Sequence, residues 1–224
     1  AWLLDASPER VQNETELAMQ GKRVVERHRL MYRGICIDES MRPAQAGPAV
    51  AAFLRPQVSI ADLADPEAVQ SLLARVAFCR SQGLDLPEPS VDAALDVLLS
   101  EAVSLHDVVG ADLMAALRTQ LGDGGRALDE WAPEWWNLPR GRRVKVHYAE
   151  GQPPWLASRL QDFFGLTAGP AFARGRVPAV LHLLAPNQRP VQLTSDLAGF
   201  WQRHYPALRK ELGRRYPRHA WPED

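Results

Sequence analysis

Basic residues alternate with aromatic residues near the end of this sequence. Six cations fall between positions 203 and 218, namely Arg203, Arg209, Lys210, Arg214, Arg215 and Arg218. Trp201, Tyr205 and Tyr216 lie among them. Cationic side chains neutralise phosphates, and aromatic rings stack on unpaired bases for about 1–3 kcal/mol each. The pattern therefore predicts contact with single-stranded RNA or DNA rather than duplex readout.

The same basic run has a second interpretation, as the solvated face of a helix with Trp201 and Tyr216 buried in the core. Lys210 and Arg214 are four positions apart, so they share a helical face. Arg203 joins that face only if the helix is continuous through Pro206, and a proline leaves that continuity open. We favour phosphate contact for the cations and a core position for the Trp201 ring.

Two further groups of cations could meet nucleic acid. Arg143 and Lys145 belong to a crowded basic segment with Arg140 and Arg142. Such a segment at the start of a strand either contacts nucleic acid or blocks edge pairing, and we favour nucleic acid. Arg189 either touches a phosphate or pairs with a carboxylate such as Asp196, and the sequence leaves both open.

The net charge of −1 conceals an asymmetry along the chain. Residues 140–218 contain 14 Lys/Arg against 4 Asp/Glu, a surplus of +10. Residues 1–139 contain 12 Lys/Arg against 21 Asp/Glu, a balance of −9. A basic C-terminal third indicates a side that faces a polyanion, unless the two parts attract and neutralise each other.

Motifs of catalysis and metal binding are missing from the sequence. It contains no G-x-x-x-x-G-K-[ST] phosphate loop, no H-E-x-x-H and no G-x-S-x-G. The histidines have no metal-ligand spacing, and His182, in an apolar run, is predicted to be a core or sheet-face residue. Cys36 and Cys79 are far apart, which predicts two buried free thiols in a reducing cytoplasm. We expect no catalytic residue and no metal ligand.

Three tryptophans and a group of carboxylates have plain structural interpretations. Trp131, Trp135 and Trp136 lie next to prolines, which favours a packing plug over a stacking platform or a sugar-binding face. Asp129, Glu130 and Glu134 could form a carboxylate pair, but an exposed acidic turn explains them better.

The elements that must position these residues indicate an α+β fold. We predict a β-rich segment over 1–64, a helical bundle over 65–139 and a basic α+β unit over 140–224. The first holds strands at 14–19, 23–33 and 35–37 and a short helix near 50–54. In the second, apolar stripes predict helices at 66–82, 91–99, 113–121 and near 128–131. With 46% apolar residues but no run of about 18, nothing is expected to span a membrane.

The C-terminal unit is predicted as strand, helix, hairpin and two helices. Residues 144–148 alternate as a strand, and Pro153-Pro154 open a helix whose apolar positions run to Phe164. The run 177–184 is a strand that turns at Pro186-Asn187 into a second strand at 191–193. Thr194-Ser195-Asp196 offer caps for a helix through Phe200-Trp201, and Pro206 starts a last, basic one.

Several local segments resemble the C-terminal region of the HrpB family of bacterial ATP-dependent, DEAH-box type helicases. The most specific run joins Arg189-Pro190-Val191-Gln192 to Asp196-Leu197-Ala198-Gly199-Phe200-Trp201. Shorter matches are Val146-His147-Tyr148, Gly151-Gln152-Pro153-Pro154, Arg159 to Gly165, Gly175-Arg176-Val177-Pro178, Tyr205-Pro206, Arg209 to Leu212, Tyr216 to His219 and Trp221 to Asp224. The first 130 residues resemble the family loosely, at Trp2-Leu3-Leu4 and Arg23-Val24-Val25. Where the family usually has Arg-Gly-Arg, this chain has Gly213-Arg214-Arg215.

The resemblance implies an accessory region of a helicase whose motor lobes lie outside this sequence. ATP and magnesium are then expected only in those lobes, and this portion is expected to hydrolyse nothing and to be an excised fragment. Its expected partners are single-stranded RNA or DNA and the motor domains of the same parent chain, with no membrane. The alternative is a scaffolding module that docks on the motor or another acidic protein. An independent hydrolase is the weakest interpretation.

Overall fold

The computed structural model describes residues 11–139 and 141–223. The chain divides into two compact units, Ala1–Pro66 with Pro89–Gln120 and Glu67–Glu88 with Leu121–Asp224. The mixed α+β fold class is confirmed, while the three-part division at residues 64 and 139 stays a prediction. The segment Trp2-Leu3-Leu4, Arg140 and Asp224 lie outside the described residues. Within that description, no helix is long and apolar enough to cross a membrane.

The first unit begins with an antiparallel meander of three strands. These are β1 (Val11–Gln20), β2 (Arg23–Tyr32) and β3 (Ile35–Pro43), with β2 in the middle. Gly21 and Gly34 take φ of 63° and 80° in the two turns, a region that glycine enters without a steric penalty. The meander predicted from alternating β-branched and aromatic residues is present, with β1 and β3 longer than predicted and β2 one residue shorter.

Short helices complete the first unit. They are α1 (Pro48–Leu54), α2 (Ile60–Leu63), α4 (Val91–Ser100), α5 (Leu105–Val109) and α6 (Leu113–Thr119). Ser90, Ser104 and Asp112 each accept an N–H from the residue three positions on, so side chains satisfy the first turns of α4, α5 and α6. A core forms where Val24 of β2 packs with Leu54, Leu99 and Val108.

The second unit contains two helices before its strands. These are α3, which runs Pro66–Ser81, and α7 (Gly124–Trp131). Both were predicted from their apolar stripes. Arg75 of α3 is only 2% exposed, and its Nε donates to the Ala132 carbonyl at 2.6 Å. That bond and an ion pair with Asp129 explain why a cation is found inside the unit.

Three small sheets and two helices form the rest of the second unit. The strands β4 (Trp135–Asn137) and β5 (Arg143–Lys145) form an antiparallel ribbon. A second sheet has the order β10-β9-β6, from Pro190–Thr194, Val180–Leu184 and Trp155–Arg159. The strands β7 (Ala171–Phe172) and β8 (Val177–Pro178) form a hairpin. The chain then continues into α8 (Leu197–Arg203) and α9 (Tyr205–Arg215).

The prediction that a helix opens at Pro153-Pro154 is wrong. Trp155–Arg159 is the strand β6, paired parallel to β9, and only a short 3₁₀ turn follows at Leu160–Phe163. The spacing of Leu156, Leu160 and Phe163 fits a helix, but the backbone instead bonds to β9. The side chains alternate, since Leu156 and Ser158 are buried while their neighbours are half-buried. A period of two therefore governs a segment that the apolar spacing alone assigned to a helix.

Sequence reasoning also missed α2, α5, β4 and β7. It predicted one strand at 177–184 where the structure has β8 and β9, and it overestimated the strand at 144–148. The strand β5 ends at Lys145, and His147 makes only an isolated bridge to Trp155. The predicted hairpin at Pro186-Asn187 is present, as is the helix predicted after Thr194-Ser195-Asp196, with Asp196 as its cap.

Candidate nucleic-acid interface

The predicted basic run divides into two helices. The helix α8 ends at Arg203 and α9 begins at Tyr205, with His204 between them. Arg203 and Lys210 therefore belong to different helices and do not share one helical face. Pro206 occupies the first turn of α9, where its missing N–H costs no helical bond. Lys210 and Arg214 remain one turn apart on α9, and the Nε of Arg214 donates to the Lys210 carbonyl at 3.2 Å.

Arg203 contributes to the cap of its own helix. Asp196 accepts the Gly199 N–H at 2.8 Å and a guanidinium N–H of Arg203 at 2.7 Å. The backbone bond from Gly199, followed by the bond from Arg203, lowers the pKa of the Asp196 carboxyl. Asp196 therefore pairs with Arg203 and not with Arg189, the partner considered from the sequence.

Arg209 holds the end of the described chain against α9. Its Nε donates to the Trp221 carbonyl at 3.1 Å, and its guanidinium also pairs with Glu223. The Tyr205 hydroxyl donates to the Pro222 carbonyl at 2.9 Å, and the Trp221 indole donates to the Tyr216 carbonyl at 3.1 Å. These bonds fold the terminal residues back, so Arg209 has an internal role.

The other four cations of the run point to solvent. Lys210, Arg214, Arg215 and Arg218 are all exposed. Across residues 11–139 and 141–223, no carboxylate lies within salt-bridge distance of any of them. The Arg215 guanidinium lies 5.7 Å from the centre of the half-buried Tyr216 ring. These four residues, with Tyr216, are hereafter the free tail cluster.

Trp201 is part of a packed aromatic group. Its indole N–H donates to the Leu166 carbonyl at 2.8 Å, and its ring meets Tyr205 edge to face with centroids 5.2 Å apart. The ring is half-buried. The ring is thus packed against its neighbours but is not fully buried in the core, the position favoured from the sequence.

Arg143 and Lys145 share the outward face of the β4–β5 ribbon. Lys145 lies directly opposite Trp135, and Arg143 lies opposite Asn137. The Arg143 guanidinium is 5.4 Å from the Trp135 ring centre. Arg189, in the turn before β10, is exposed, and its N–H donates to the Asn187 side chain at 3.3 Å.

Trp135 is a candidate that sequence reasoning considered as part of a stacking platform and set aside in favour of a packing plug. Trp131 is buried, and Trp136 packs edge to face on Phe172 at 5.8 Å, as a packing cluster requires. Trp135, by contrast, is 43% exposed. The signal was available, because adjacent Trp135 and Trp136 point to opposite faces if the segment is a strand. The strand itself was not predicted.

His147 and His182 flank Trp155 in a stack of three parallel rings. The centroid distances to the indole are 3.9 Å for His147 and 4.4 Å for His182. Burial is the main cause that lowers the pKa of both imidazoles, and for His147 the nearby Lys145 lowers it further. His182 is thus a sheet-face residue, one of the two positions predicted for it.

The structure supplies no metal centre within its described part. There, no three His, Cys, Asp or Glu side chains converge as a metal site requires. Both cysteines are free. Cys79 is buried, and burial raises the pKa of its thiol to about 11, so the thiol stays protonated and unreactive. The prediction that Cys36 is buried is wrong, because β3 is an exposed strand.

Comparison with known proteins finds relatives of this chain in sequence and in structure. Residues 95–224 match the family described as "ATP-dependent helicase C-terminal". Over 152 residues the chain is 43% identical to "ATP-dependent RNA helicase HrpB" of Escherichia coli K12, a match that spans 62% of this chain and 19% of that protein.

Solved structures agree with the sequence match. The crystal structure of the E. coli DExH-box NTPase HrpB superposes with a TM-score of 0.69 at 29% identity, covering all of this chain and 30% of that one. A second crystal structure, described as the E. coli DEAH/RHA helicase HrpB, gives a TM-score of 0.60 at 30% identity. It covers 95% of this chain and 29% of its own.

Proposed function

Because this chain belongs to the ATP-dependent helicase C-terminal family, we propose that it binds single-stranded nucleic acid for an ATP-dependent RNA helicase. In this proposal the chain holds a strand that enters or leaves the motor. The motor lobes of the parent protein bind ATP and magnesium and carry out hydrolysis. This chain contributes no catalytic residue.

The observation that carries the proposal is the division of the tail cations. Arg203 and Arg209 pair with Asp196 and Glu223. The four cations of the free tail cluster, in contrast, have no carboxylate within salt-bridge distance in the part of the chain that the structure describes. Lys210, Arg214 and Arg215 lie on α9, and Tyr216 and Arg218 follow its end. Unpaired cations beside an aromatic ring suit a phosphate backbone with accessible bases.

RNA is favoured over DNA by the relative's name alone, which calls the E. coli protein an RNA helicase. A cytoplasmic setting is part of the same proposal. The exposed free thiol of Cys36 supports it, since such a thiol persists best in a reducing compartment.

The proposal is tested by titrating the chain into labelled single-stranded RNA and following fluorescence anisotropy at about 50 and 200 mM salt. The variant Lys210→Glu plus Arg214→Glu reverses two charges of the free tail cluster. We expect binding at low salt that weakens at high salt and is lost or strongly reduced in the double variant.

A matched control separates the effect of where the reversed charges lie from the effect of the change in net charge. Lys22→Glu plus Arg126→Glu changes the net charge equally, at two exposed residues outside the tail. This control should bind almost as well as the unaltered chain. Equal losses in both double variants would mean that only overall charge matters, and no binding at low salt would refute the proposal.

Docking on the motor lobes is the second candidate, and the strand β3 favours it. Ile35, Ile37 and Met41 of this strand are 67%, 47% and 43% exposed. Large apolar side chains on an edge strand are typical of protein contacts. If RNA binding fails, Ile35→Ser plus Ile37→Ser should weaken binding to the separately purified motor lobes. Unchanged binding would count against this candidate.

A further inference from the structure

The outward face of the β4–β5 ribbon presents one aromatic ring among cations. Along the ribbon, the inward Val144 is buried and the outward Arg143 is exposed. On the outward face, Trp135 lies opposite Lys145 and beside the Arg143 guanidinium. Trp135 is 43% exposed, so part of its ring is open to contact with a ligand. A ligand that stacks on the ring would bury apolar surface, which is favourable.

Backbone bonds hold the ribbon that carries this ring. The Leu138 N–H donates to the Arg142 carbonyl at 2.8 Å, and the Val146 N–H donates to the Glu134 carbonyl at 2.9 Å. On the inward side, Trp136 packs against Phe172. A backbone that is already ordered loses little conformational entropy when a ligand stacks on the Trp135 ring.

The charge of the segment indicates what the occupant is. Residues 135–147 contain four Arg or Lys residues and no Asp or Glu. The Arg142 guanidinium forms a salt bridge with the Asp162 carboxylate at 3.2 Å, so its charge is already paired within the chain. Arg143 and Lys145 have no carboxylate within salt-bridge distance among the described residues. An acidic ligand with a flat ring fits this face better than an apolar protein surface does.

We propose that Trp135 stacks on an unpaired base of a single nucleic-acid strand, while Arg143 and Lys145 contact the adjoining phosphates. A base inside a duplex hides its faces, so this site selects single strands. This inference rests on the proposed function, because it assigns a second contact to the same ligand. It differs in kind from the contact proposed for the free tail cluster, in which four cations supply most of the binding through charge.

The neighbouring stack of rings extends the same face. His147 follows Lys145 on the same side of the chain and stacks on Trp155, whose other side is covered by His182. The flat faces of Trp155 are therefore occupied by other rings. Trp135 has the Arg143 guanidinium over its ring, and among the described residues no aromatic ring stacks on it. This difference makes Trp135, and not Trp155, the stacking residue.

The test compares two labelled probes of about 12 nucleotides, an oligouridine and an abasic strand with the same number of phosphates. Replacing Trp135→Ala should weaken binding to oligouridine by about 5- to 150-fold, the range for loss of one base stack. Binding to the abasic strand should change by less than about twofold, since no base is present. Trp135→Phe keeps a ring and should restore most of the affinity.

Two further measurements complete the test: a control substitution at another exposed apolar residue, and a direct crosslink that needs no variant. Val97→Ala removes another exposed apolar side chain, 67% exposed on α4, and should leave both affinities unchanged. With the unaltered chain, photocrosslinking to RNA that contains 4-thiouridine should place a crosslink at Trp135 in the digested peptides.

The outcomes separate this inference from the proposed function. If the unaltered chain binds neither probe, both fail. If it binds and depends on Lys210 and Arg214, yet Trp135→Ala binds oligouridine normally and no crosslink reaches Trp135, only the stacking site is refuted. Equal weakening on both probes would also refute stacking, because it would assign Trp135 a purely structural role.

Discussion

Arg75 shows, at the scale of a single residue, how this chain keeps a cation inside a small unit. The side chain is buried, its Nε donates to the Ala132 carbonyl, and its guanidinium reaches the more exposed Asp129. A buried carbonyl that loses its donor costs about 1–3 kcal/mol. Arg75 therefore contributes through hydrogen bonding more than through its ion pair, which is partly screened by solvent.

Replacing Arg75→Met keeps the bulk of the side chain and removes its donors. We expect the free energy of unfolding of the second unit to fall by about 2 kcal/mol, because the Ala132 carbonyl is left without this partner. Urea denaturation followed by tryptophan fluorescence measures it, since all of the seven tryptophans except Trp2 belong to that unit. Arg126→Met, at an exposed position on α7, should change the value by less than about 0.5 kcal/mol. A similarly small change for Arg75→Met would contradict this role.

At the same scale, the candidate site could be predicted in part. Residue types alone identified the free tail cluster as a group, but they could not separate it from Arg203 and Arg209. That separation depends on Asp196 and Glu223, whose positions depend on the helix cap and on the folded-back terminus. The Arg209–Glu223 pair joins residues fourteen positions apart across irregular backbone, where no periodicity applies, whereas the Asp196–Arg203 pair spans the two turns of α8.

The sheet of β6, β9 and β10 shows what decides the structure of an element. The segment after Pro153-Pro154 has apolar residues at helical spacing, yet it forms β6 because its backbone pairs with β9. Tertiary pairing therefore overrides the local pattern. The meander, the helices α3, α4 and α6, and the hairpin of β9 and β10 were predictable, since turn glycines, caps and regular apolar periods mark them.

The stacked rings of His147, Trp155 and His182 make the stability of this sheet depend on pH. Burial lowers the pKa of both imidazoles in the folded state, so the unfolded chain takes up protons more readily. We expect the unfolding free energy to be level above about pH 7.5 and to fall as the pH drops below about 6.5, the ordinary histidine pKa. Urea midpoints at a series of pH values from about 8 to 5 measure the fall.

Variants test whether His147 and His182 cause this pH dependence of the unfolding free energy. His147→Gln plus His182→Gln should flatten the dependence between about pH 7.5 and 5, whereas His219→Gln, at an exposed position, should leave it as it is. The lowered pKa of Asp196 gives stability that is lost only below about pH 4, outside this window. An unchanged slope in the double variant would contradict the assignment.

At the scale of the whole molecule, charge is distributed unevenly along the chain. The acidic residues 1–139 and the basic residues 140–218 nearly cancel in the total. In the first unit, Arg27 and Arg29 of the meander are paired with Glu16 and Glu39. In the second unit, the free tail cluster and the Trp135 face keep cations without such partners among the described residues. The net charge of the chain therefore underestimates how strongly its unpaired cations can bind a polyanion.

The salt dependence of RNA binding tests this account most directly. For a single strand, the plot of log affinity against log salt has a slope of about −0.7 for each phosphate neutralised. The unaltered chain should bind single-stranded RNA with a clear negative slope. Lys210→Glu plus Arg214→Glu should make that slope shallower by about 1.4, for two lost phosphate contacts. An identical slope in the two proteins, or no binding at low salt, would contradict the proposed function.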